Sequence, residues 1–302
     1  MSRRFGPYTV STFKIHCKLG ETVRIIPIGD VHRTTKRCAE SKYKENLDRI
    51  KREMLSKQVF IIGMGDYDDF MSMGERINIE RCDLHETTED KLDEVMDRHV
   101  EIFAKEWAPF KGRIIGLLEG NHYGRFFKTG ITTTQKLCEK LGCEYLGSPA
   151  FVRIQLDVQG KRTRCAFDIF ANHVGTTKCG RSKSGSINSV YKMLEIAEAD
   201  VYYAAHDHQR WVYPTCRIRL TNTGNVRTQD RHIIMARTGS FYLGYVDGQS
   251  NYVSEKMLSP ANLGLTYTDV TVKRVFENRR VVNGKEYSDG DVLHVELSGG
   301  LF

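Results

Sequence analysis

Short apolar runs rich in Val and Ile recur along the chain, and each is followed by a polar cluster. The runs are Val23–Ile28, Val59–Met64, Arg113–Leu118, Cys165–Phe170 and Val201–Ala205. Because these runs are continuous rather than alternating, they are typical of strands that are buried on both faces of a sheet. The pattern therefore predicts a sheet that is covered on both sides.

Between these runs, apolar residues recur at the spacing of amphipathic helices. The predicted helices are Lys42–Leu55, Glu89–Trp107, Thr129–Leu141 and Ser186–Ala197. Alternating strands and helices predict an α/β architecture. Later in the chain the pattern changes to strands, at Trp211–Leu220, Arg231–Thr238 and Leu265–Val275, with a hairpin turn at Val281–Lys285.

The chain has no obvious linker or internal repeat, so we expect one domain of layered α/β sandwich type over residues 1–302. Its motif-bearing part spans residues 23–240. A strand-rich C-terminal extension follows at residues 249–302, which matches no motif and is expected to add strands, cover the site or form an oligomer contact. The sequence does not indicate the oligomeric state.

Polar clusters stand where the predicted strands end, and ligands of open α/β sheets bind beyond the carboxyl ends of the strands. Each cluster alone is more typical of a solvated loop or a packed histidine. Together they offer carboxylates, an amide and imidazoles, a mixture that suits Mn, Fe, Zn or a mixed pair of ions. A carboxylate that bridges can hold two such ions about 3.5–4 Å apart. The candidate ligands are Asp30, His32, Asp66, Asn121, His173, His206 and His208.

Composition narrows the class of protein further. Hydrophobic residues make up 40% of the 302 residues, which is enough for a sizeable core. No run approaches the roughly 18–20 apolar residues that span a bilayer, and no signal peptide is recognisable, so we expect a soluble cytoplasmic protein without membrane contact. The 8 cysteines form no CxxC pair, which favours reduced thiols over disulfides or a cysteine zinc site.

The net charge of +7 allows two interpretations. A positive excess attracts polyanionic partners such as nucleic acid, and it also keeps an ordinary protein soluble. The charge alone does not choose between them.

The order of the clusters resembles the calcineurin-like metallophosphoesterase superfamily. Five blocks define that family: D-x-H, G-D-x-x-D, G-N-H, a lone His, and G-H-x-H. The chain offers Asp30-Val31-His32, Gly65-Asp66-Tyr67-Asp68-Asp69, Gly120-Asn121-His122, His173 and Ala205-His206-Asp207-His208. Thr238-Gly239-Ser240 also resembles a Gly-Ser that often follows the fifth block. The resemblance implies an α/β/β/α sandwich of mixed sheets with flanking helices.

The resemblance further implies a ligand set for each of two divalent ions, with Mn favoured. Asp30, His32 and His208 would bind the first ion, Asn121, His173 and His206 the second, and Asp66 would bridge both. The sequence departs from the family pattern at Ala205, which replaces the usual Gly, and at Tyr123, where an acidic residue is common.

The implied reaction is hydrolysis of a phosphate ester, with a hydroxide shared by the two ions attacking phosphorus in line. The resemblance makes His122 the group that stabilises or protonates the leaving oxygen. We expect Asp69 either to orient a group of the site or to act as an acid at a helix N-terminus. Arg33 and Arg125 are candidates for binding the substrate phosphate, with exposed solubilising charges as the alternative.

A segment after the lone histidine resembles a nucleotide-binding loop. Gly175–Ser182 fits GxxxxG[KR]S, but Arg181 stands where a P-loop needs Lys. We expect instead a basic loop beside the site, with Lys178, Arg181 and Lys183 close to substrate, or a plain surface loop.

The substrate is less well defined than the reaction, because one metal pair serves many phosphate esters. The charge together with the basic stretches Arg33–Arg37 and Lys178–Lys183 favours a polyanion. The aromatic candidates for stacking on bases, or alternatively for core or rim packing, are Tyr67, Tyr123, Phe126, Phe127 and Trp211. The leading hypothesis is a phosphodiesterase, most simply a nuclease. The alternatives are a phosphomonoesterase acting on phosphoprotein, nucleotide or small molecule, and a non-catalytic binding scaffold.

Overall fold

The computed structural model describes residues 9–161, 165–173, 183–220, 228–248, 250, 252–257, 260–276, 279–282, 285–288 and 291–302. The strands are β1 Thr9–Cys17, β2 Thr22–Ile28, β3 Gln58–Gly63, β4 Ile114–Leu118, β5 Tyr145–Gly147, β6 Ala150–Val158, β7 Cys165–Asn172, β8 Val201–Ala204, β9 Arg210–Leu220, β10 Thr228–Ser240, β11 Gly264–Phe276, β12 Arg279–Val282, β13 Lys285–Ser288 and β14 Asp291–Leu301. The helices are α1 Glu40–Glu53, α2 Met73–Glu80, α3 Glu86–Trp107, α4 Thr133–Leu141, α5 Lys183–Tyr191, α6 Met193–Ile196 and α7 Tyr252–Glu255, with a 3₁₀ turn at Ala108–Phe110.

Twelve of the strands form two sheets that join at one point. The first has the order β1-β6-β7-β8-β10, with β9 antiparallel to β10, and the second has the order β11-β2-β3-β4-β5, with β14 antiparallel to β11. Both sheets mix parallel and antiparallel pairs. They meet where Gly239 and Ser240 pair with Leu265 and Gly264. Gly239 has a φ of 88° and Gly264 a φ of 124°, so two residues without Cβ allow the strands to approach here.

The two sheets pack face to face, and alternate residues of each strand point to opposite sides. In β3, Phe60 and Ile62 face the other sheet, whereas Val59 and Ile61 face the helices. On the outer side of the second sheet, α1, α3 and α4 bury Leu47, Ile50, Met96, Phe103 and Leu137. On the outer side of the first sheet, residues of α5 and α6 form a third cluster. The predicted α/β/β/α sandwich is confirmed.

The predicted elements agree with the observed ones to within a few residues at their ends. Four strands and two α-helices were not predicted: β1, β5, β6, β14, α2 and α7. The predicted hairpin at 281–285 is bounded by β12 and β13, which pair antiparallel, while its turn residues 283 and 284 lie outside the described part. The cysteines that the structure describes are free, as predicted.

The C-terminal extension contributes to the sandwich itself. β11 pairs with β2 at Thr268↔Ile25 to Thr271↔Thr22, and β14 lies along the other edge of β11. Of the three roles expected for residues 249–302, the addition of strands is therefore the one that the structure shows. Among the described residues, no helix is long and apolar enough to cross a membrane.

Candidate metal centre

The seven candidate ligands lie in the loops that leave the carboxyl ends of five strands. The loops after β2, β3 and β4 carry Asp30, His32, Asp66 and Asn121, and those after β7 and β8 carry His173, His206 and His208. Each sheet thus supplies part of the set. The loops are tied together across the junction, because the backbone N–H of His206 donates to Asp30 Oδ2 over 2.8 Å.

Asp30, His32 and His208 form one cluster. One ligand atom from each lies within 4.8 Å of the others, and His208 Nε2 is 3.7 Å from Asp30 Oδ1. Asp30 is fully buried and His32 nearly so. These are the residues predicted to bind the first ion.

Asp66, His173 and His206 form a second cluster of the same size. Asn121 completes it, since its Oδ1 lies 2.9 Å from both His173 Nε2 and His206 Nδ1. His173 Nδ1 donates to the carbonyl oxygen of Met64 over 2.6 Å. Because a carbonyl can only accept, this bond places a hydrogen on Nδ1, so Nε2 is the ring nitrogen that is directed into the cluster.

Asp66 lies between the two clusters. Its Oδ2 is 3.1 Å from His173 Nε2 and 3.9 Å from His32 Nε2. Its Oδ1 accepts the backbone N–H groups of Asn121 and His122 over 2.7 and 2.9 Å, which fixes the carboxylate plane. This position agrees with the bridging role that the sequence predicts.

Several buried polar atoms of the site have no hydrogen-bond partner in the described part of the chain. They are Asp30 Oδ1 and both ring nitrogens of His32. A buried polar group without a partner lowers the stability of the folded state by about 1–3 kcal/mol, so we expect these atoms to bind a ligand. Divalent cations fit, because imidazole nitrogens and carboxylate oxygens are the donors that Mn, Fe and Zn accept.

The backbone of the site adopts a strained conformation. Five candidate ligands have positive φ: Asp30 at 49°, His32 at 47°, Asp66 at 48°, His206 at 74° and His208 at 58°. Met257 is the one other non-glycine residue with positive φ in the described ranges. Such residues cost of order 1–3 kcal/mol each and cluster at functional sites, because a ligand geometry requires them.

Burial and neighbouring charges shift the pKa values of the groups in the site. Burial raises the pKa of Asp30 to about 6, against the opposing effect of His173. Burial alone would lower the pKa of His173, but the neighbouring carboxylate of Asp66 outweighs it and raises that pKa to about 9. Burial also holds the pKa of His208 well below its usual value, which keeps this imidazole in the neutral form that binds metals.

His122 and Asp69 form a third group with His32. Asp69 Oδ1 makes an ion pair with His122 Nδ1, and its Oδ2 lies 3.7 Å from His32 Nδ1. Burial would lower the pKa of His122, but the contact with Asp69 outweighs it and the pKa rises. Asp69 precedes Ser72, the N-cap of α2, so it lies outside the first turn of that helix and contacts the two histidines.

The four predicted substrate-binding residues differ in their surroundings. Arg33 pairs with Glu106 at 2.9 Å and with Glu40 at 3.0 Å, so its guanidinium is engaged by carboxylates. Arg125 is exposed in the loop that follows His122. Lys178 and Arg181, with the P-loop-like segment 175–182, lie outside the described residues. The role of these four in substrate binding stays a prediction.

The aromatic residues proposed for base stacking are mostly packed inside. Tyr67 and Phe126 are buried in the core beneath α3 and α4, where Phe127 also packs. Trp211 packs against the α5–α6 cluster and donates its Nε1–H to Ser186. Tyr123 lies under the guanidinium of Arg76. Core packing, the alternative weighed from the sequence, accounts for their positions.

Two features of the site were not predicted. The ring of Tyr242 lies edge-on to that of His32, with centroids 5.0 Å apart, and is tilted against that of His208, with centroids 5.3 Å apart. Arg237 makes a buried ion pair with Asp207, between the two histidines of the last block. Both residues lie beside Thr238-Gly239-Ser240, but the sequence does not show that Arg237 reaches the site from β10 and Tyr242 from the loop after it.

Comparison with known proteins gives only distant similarity. No protein-family model and no curated protein matches the chain. A single mutant of Vps29 from Entamoeba histolytica is similar over 93% of this chain and 99% of that chain, with 9% identity and a TM-score of 0.36. A predicted phosphoesterase from Streptococcus pneumoniae is similar over 88% and 98%, with 12% identity and a TM-score of 0.29. A 5'-nucleotidase from Candida albicans is similar over 85% of this chain and 49% of that chain, with 10% identity and a TM-score of 0.33. These identities and TM-scores are too low for a reaction or a site to be inferred from those proteins. The functional conclusion therefore depends on the side chains of this chain.

Proposed function

We propose that this protein is a metal-dependent phosphoesterase of the calcineurin-like type. The observation that supports it is the convergence of seven side chains from two sheets into adjoining clusters, with Asp66 between them. Divalent ions bound there supply an activated water and neutralise the charge that gathers on the phosphoryl oxygens. Asp30, His32 and His208 would hold one ion, Asn121, His173 and His206 the other, and Asp66 both.

Hydrolysis also requires the ester oxygen to leave phosphorus, which a proton donor assists. His122 borders the first cluster, with its ring centroid 5.1 Å from that of His32. Its ion pair with Asp69 favours the protonated imidazole, which can donate a proton to the leaving oxygen. Asp69 also contacts His32, so one carboxylate orients both the proton donor and a candidate ligand.

We propose further that the substrate is a phosphodiester, most simply a nucleic acid. The net charge of +7 supports a polyanionic substrate. The exposed Arg125, in the loop that carries Asn121 and His122, supports this proposal because its guanidinium would bind a phosphate next to the ester being cleaved.

An assay of matched substrates tests both the proposed phosphoesterase activity and the proposed preference for diesters. Purified protein with Mn²⁺ is incubated with bis-p-nitrophenyl phosphate, single-stranded DNA and duplex DNA, and with p-nitrophenyl phosphate as the monoester. We expect diester cleavage that is lost on chelation and in Asp66→Asn. Turnover of the monoester alone would reject the diesterase and leave the phosphoesterase.

Metal analysis separates an enzyme from a binding scaffold of the same fold. We expect about two ions per chain in the wild type and fewer in Asp66→Asn, because that variant loses the shared carboxylate. A chain that binds no Mn²⁺, Zn²⁺ or Fe²⁺ and cleaves no ester would refute the proposed function.

A further inference from the structure

Helix α2 is attached to the protein in an unusual way. An amphipathic surface helix normally buries an apolar stripe. Of the α2 side chains that the structure describes, only that of Arg76 is buried, and 7% of this residue's surface is exposed. The apolar residues Met73 and Ile77 are instead 60% and 39% exposed. A capping box of Ser72 and Glu75 fixes the start of the helix, so the short helix is well formed and presents an arginine inward.

The Arg76 side chain reaches the loop that carries Asn121 and His122. Its Nη1 donates to the carbonyl oxygens of Asn121 over 2.7 Å and of Tyr123 over 3.0 Å, and also to that of Met71 over 2.7 Å. Its Cζ lies 3.8 Å from the centroid of the Tyr123 ring. No carboxylate in the described part of the chain forms an ion pair with it. A buried guanidinium without a carboxylate is costly, and here only carbonyl dipoles and one aromatic face offset that cost.

The peptide group between Asn121 and His122 lies between two opposite charges. Its N–H, on His122, donates to the Asp66 carboxylate over 2.9 Å, and its carbonyl, on Asn121, accepts from the Arg76 guanidinium over 2.7 Å. The peptide dipole is therefore aligned with its positive end toward the anion and its negative end toward the cation. Since this peptide joins a candidate metal ligand to the candidate proton donor, its orientation sets the direction of both side chains.

We propose that Arg76 is a positioning residue that fixes the orientation of Asn121 and His122. Its effect on catalysis rests on the function proposed above. Without its guanidinium the Asn121 carbonyl loses its partner. The peptide can then rotate and draw the His122 N–H away from Asp66. A displacement of about 1 Å at a reacting group can lower the rate about 100-fold. The ion in the second cluster would also bind more weakly, because Asn121 belongs to that cluster.

Two substitutions separate positioning from simple support of the fold. Arg76→Met keeps the length and removes every donor, and Arg76→Lys keeps the charge but loses the planar fork. The matched control is Arg81→Met, since Arg81 is the exposed C-cap residue of the same helix. For each variant, the folded fraction and melting temperature are measured by circular dichroism, Mn²⁺ and Zn²⁺ binding by calorimetry, and kcat and KM with bis-p-nitrophenyl phosphate.

In Arg76→Met we expect kcat per folded molecule to fall about 10- to 100-fold, with KM changed less than about threefold. The weaker of the two metal-binding steps should lose about tenfold or more in affinity. Arg76→Lys should lie between Arg76→Met and wild type, and Arg81→Met should match wild type. Folded Arg76→Met with kcat and metal affinity within a factor of two of wild type would overturn the inference, and so would an equal loss in Arg81→Met.

The metal-binding measurement keeps this test separate from that of the proposed function. If the wild type binds metal but cleaves no ester, the phosphoesterase is rejected, and the loss of metal affinity in Arg76→Met still decides whether Arg76 positions Asn121. If Arg76→Met does not fold, Arg76→Lys decides by the same two measurements, with a loss relative to Arg81→Met supporting the inference and wild-type values overturning it.

Discussion

Arg237 and Asp207 form an ion pair inside the protein, with Arg237 Nε 3.0 Å from Asp207 Oδ2 and both side chains buried. Asp207 stands between His206 and His208, and its carboxylate also accepts the Ser186 hydroxyl over 2.5 Å. Arg237 Nη1 donates to the carbonyl oxygen of Ala205, also over 2.5 Å. The pair therefore anchors Ala205 and Asp207, the residues on either side of His206, in the segment that brings His206 to one cluster and His208 to the other.

Breaking this pair should destabilise the protein strongly. Arg237→Met leaves the Asp207 carboxylate buried without its cation, which typically costs 3–5 kcal/mol. We expect a loss of about 3 kcal/mol or more in the free energy of unfolding, measured by urea denaturation at neutral pH. Arg98→Met, at an exposed position of α3, should change it by less than about 0.5 kcal/mol. A loss for Arg237→Met no larger than for Arg98→Met would contradict this account.

The contact between Asp69 and His122 predicts a shift in the pH dependence of kcat. A proton donor must be protonated, so the rate falls as pH rises through the pKa of His122. The Asp69 carboxylate raises that pKa against the effect of burial. Asp69→Asn removes the charge, so the pKa of His122 falls and the alkaline limb of the profile should move to lower pH.

The matched control for this shift is Asp83→Asn, an exposed carboxylate between α2 and α3. Its profile should coincide with that of the wild type. An alkaline limb that stays in place in Asp69→Asn, or moves to higher pH, would show that His122 is not the proton donor that Asp69 tunes.

Metal binding should stabilise the folded protein. Ions that bind only the folded state contribute about 4 kcal/mol when the free ion is at about a thousand times its dissociation constant. We therefore expect dialysis against EDTA to lower the melting temperature and added Mn²⁺ or Zn²⁺ to restore it. Asp66→Asn should respond much less. Equal melting temperatures with and without ions in the wild type would speak against a metal centre.

Gly65 should not tolerate a side chain. Its φ is 90°, and a Cβ there would lie 2.6 Å from His173 Nδ1 and 2.7 Å from the Cα of Gly120. In Gly65→Ala we expect loss of metal binding and of activity, since His173 or the Asn121 loop must move away. Gly74→Ala is the control, because a Cβ at Gly74 meets nothing within 4 Å. Calorimetric titration with Mn²⁺ distinguishes the two, and wild-type affinity in Gly65→Ala would disprove the expectation.

The central strands and the convergence of the candidate ligands could be predicted because apolar runs and polar clusters alternate along the chain. Continuous apolar runs identify β2, β3, β4, β7 and β8, and polar residues follow each run directly. The carboxyl ends of such strands meet at the same edge, so their neighbours converge. His173 follows a strand of the first sheet and Asp66 a strand of the second, so their close approach also requires the two sheets to join at β10 and β11.

Other parts of the site could not be predicted, for identifiable physical reasons. Helix α2 buries an arginine in place of an apolar stripe, so hydrophobic periodicity does not reveal it. Arg76 is bound by backbone carbonyls, whose positions a single sequence does not show. Tyr242 is one aromatic residue among many, and its approach to His32 depends on how the loop after β10 crosses the junction. The partners of Arg33 likewise come from two helices that only the packing brings together.

The position of β11 has a consequence for how the molecule folds. This strand joins the two sheets, yet it pairs with residues 22–25, which are separated from it by most of the chain. Long sequence separation makes such pairings slow to form, because the entropy of closing the loop is lost before contacts compensate for it. We therefore expect ion-binding ability to appear in the last and slowest phase of refolding, after each sheet has gained its own secondary structure.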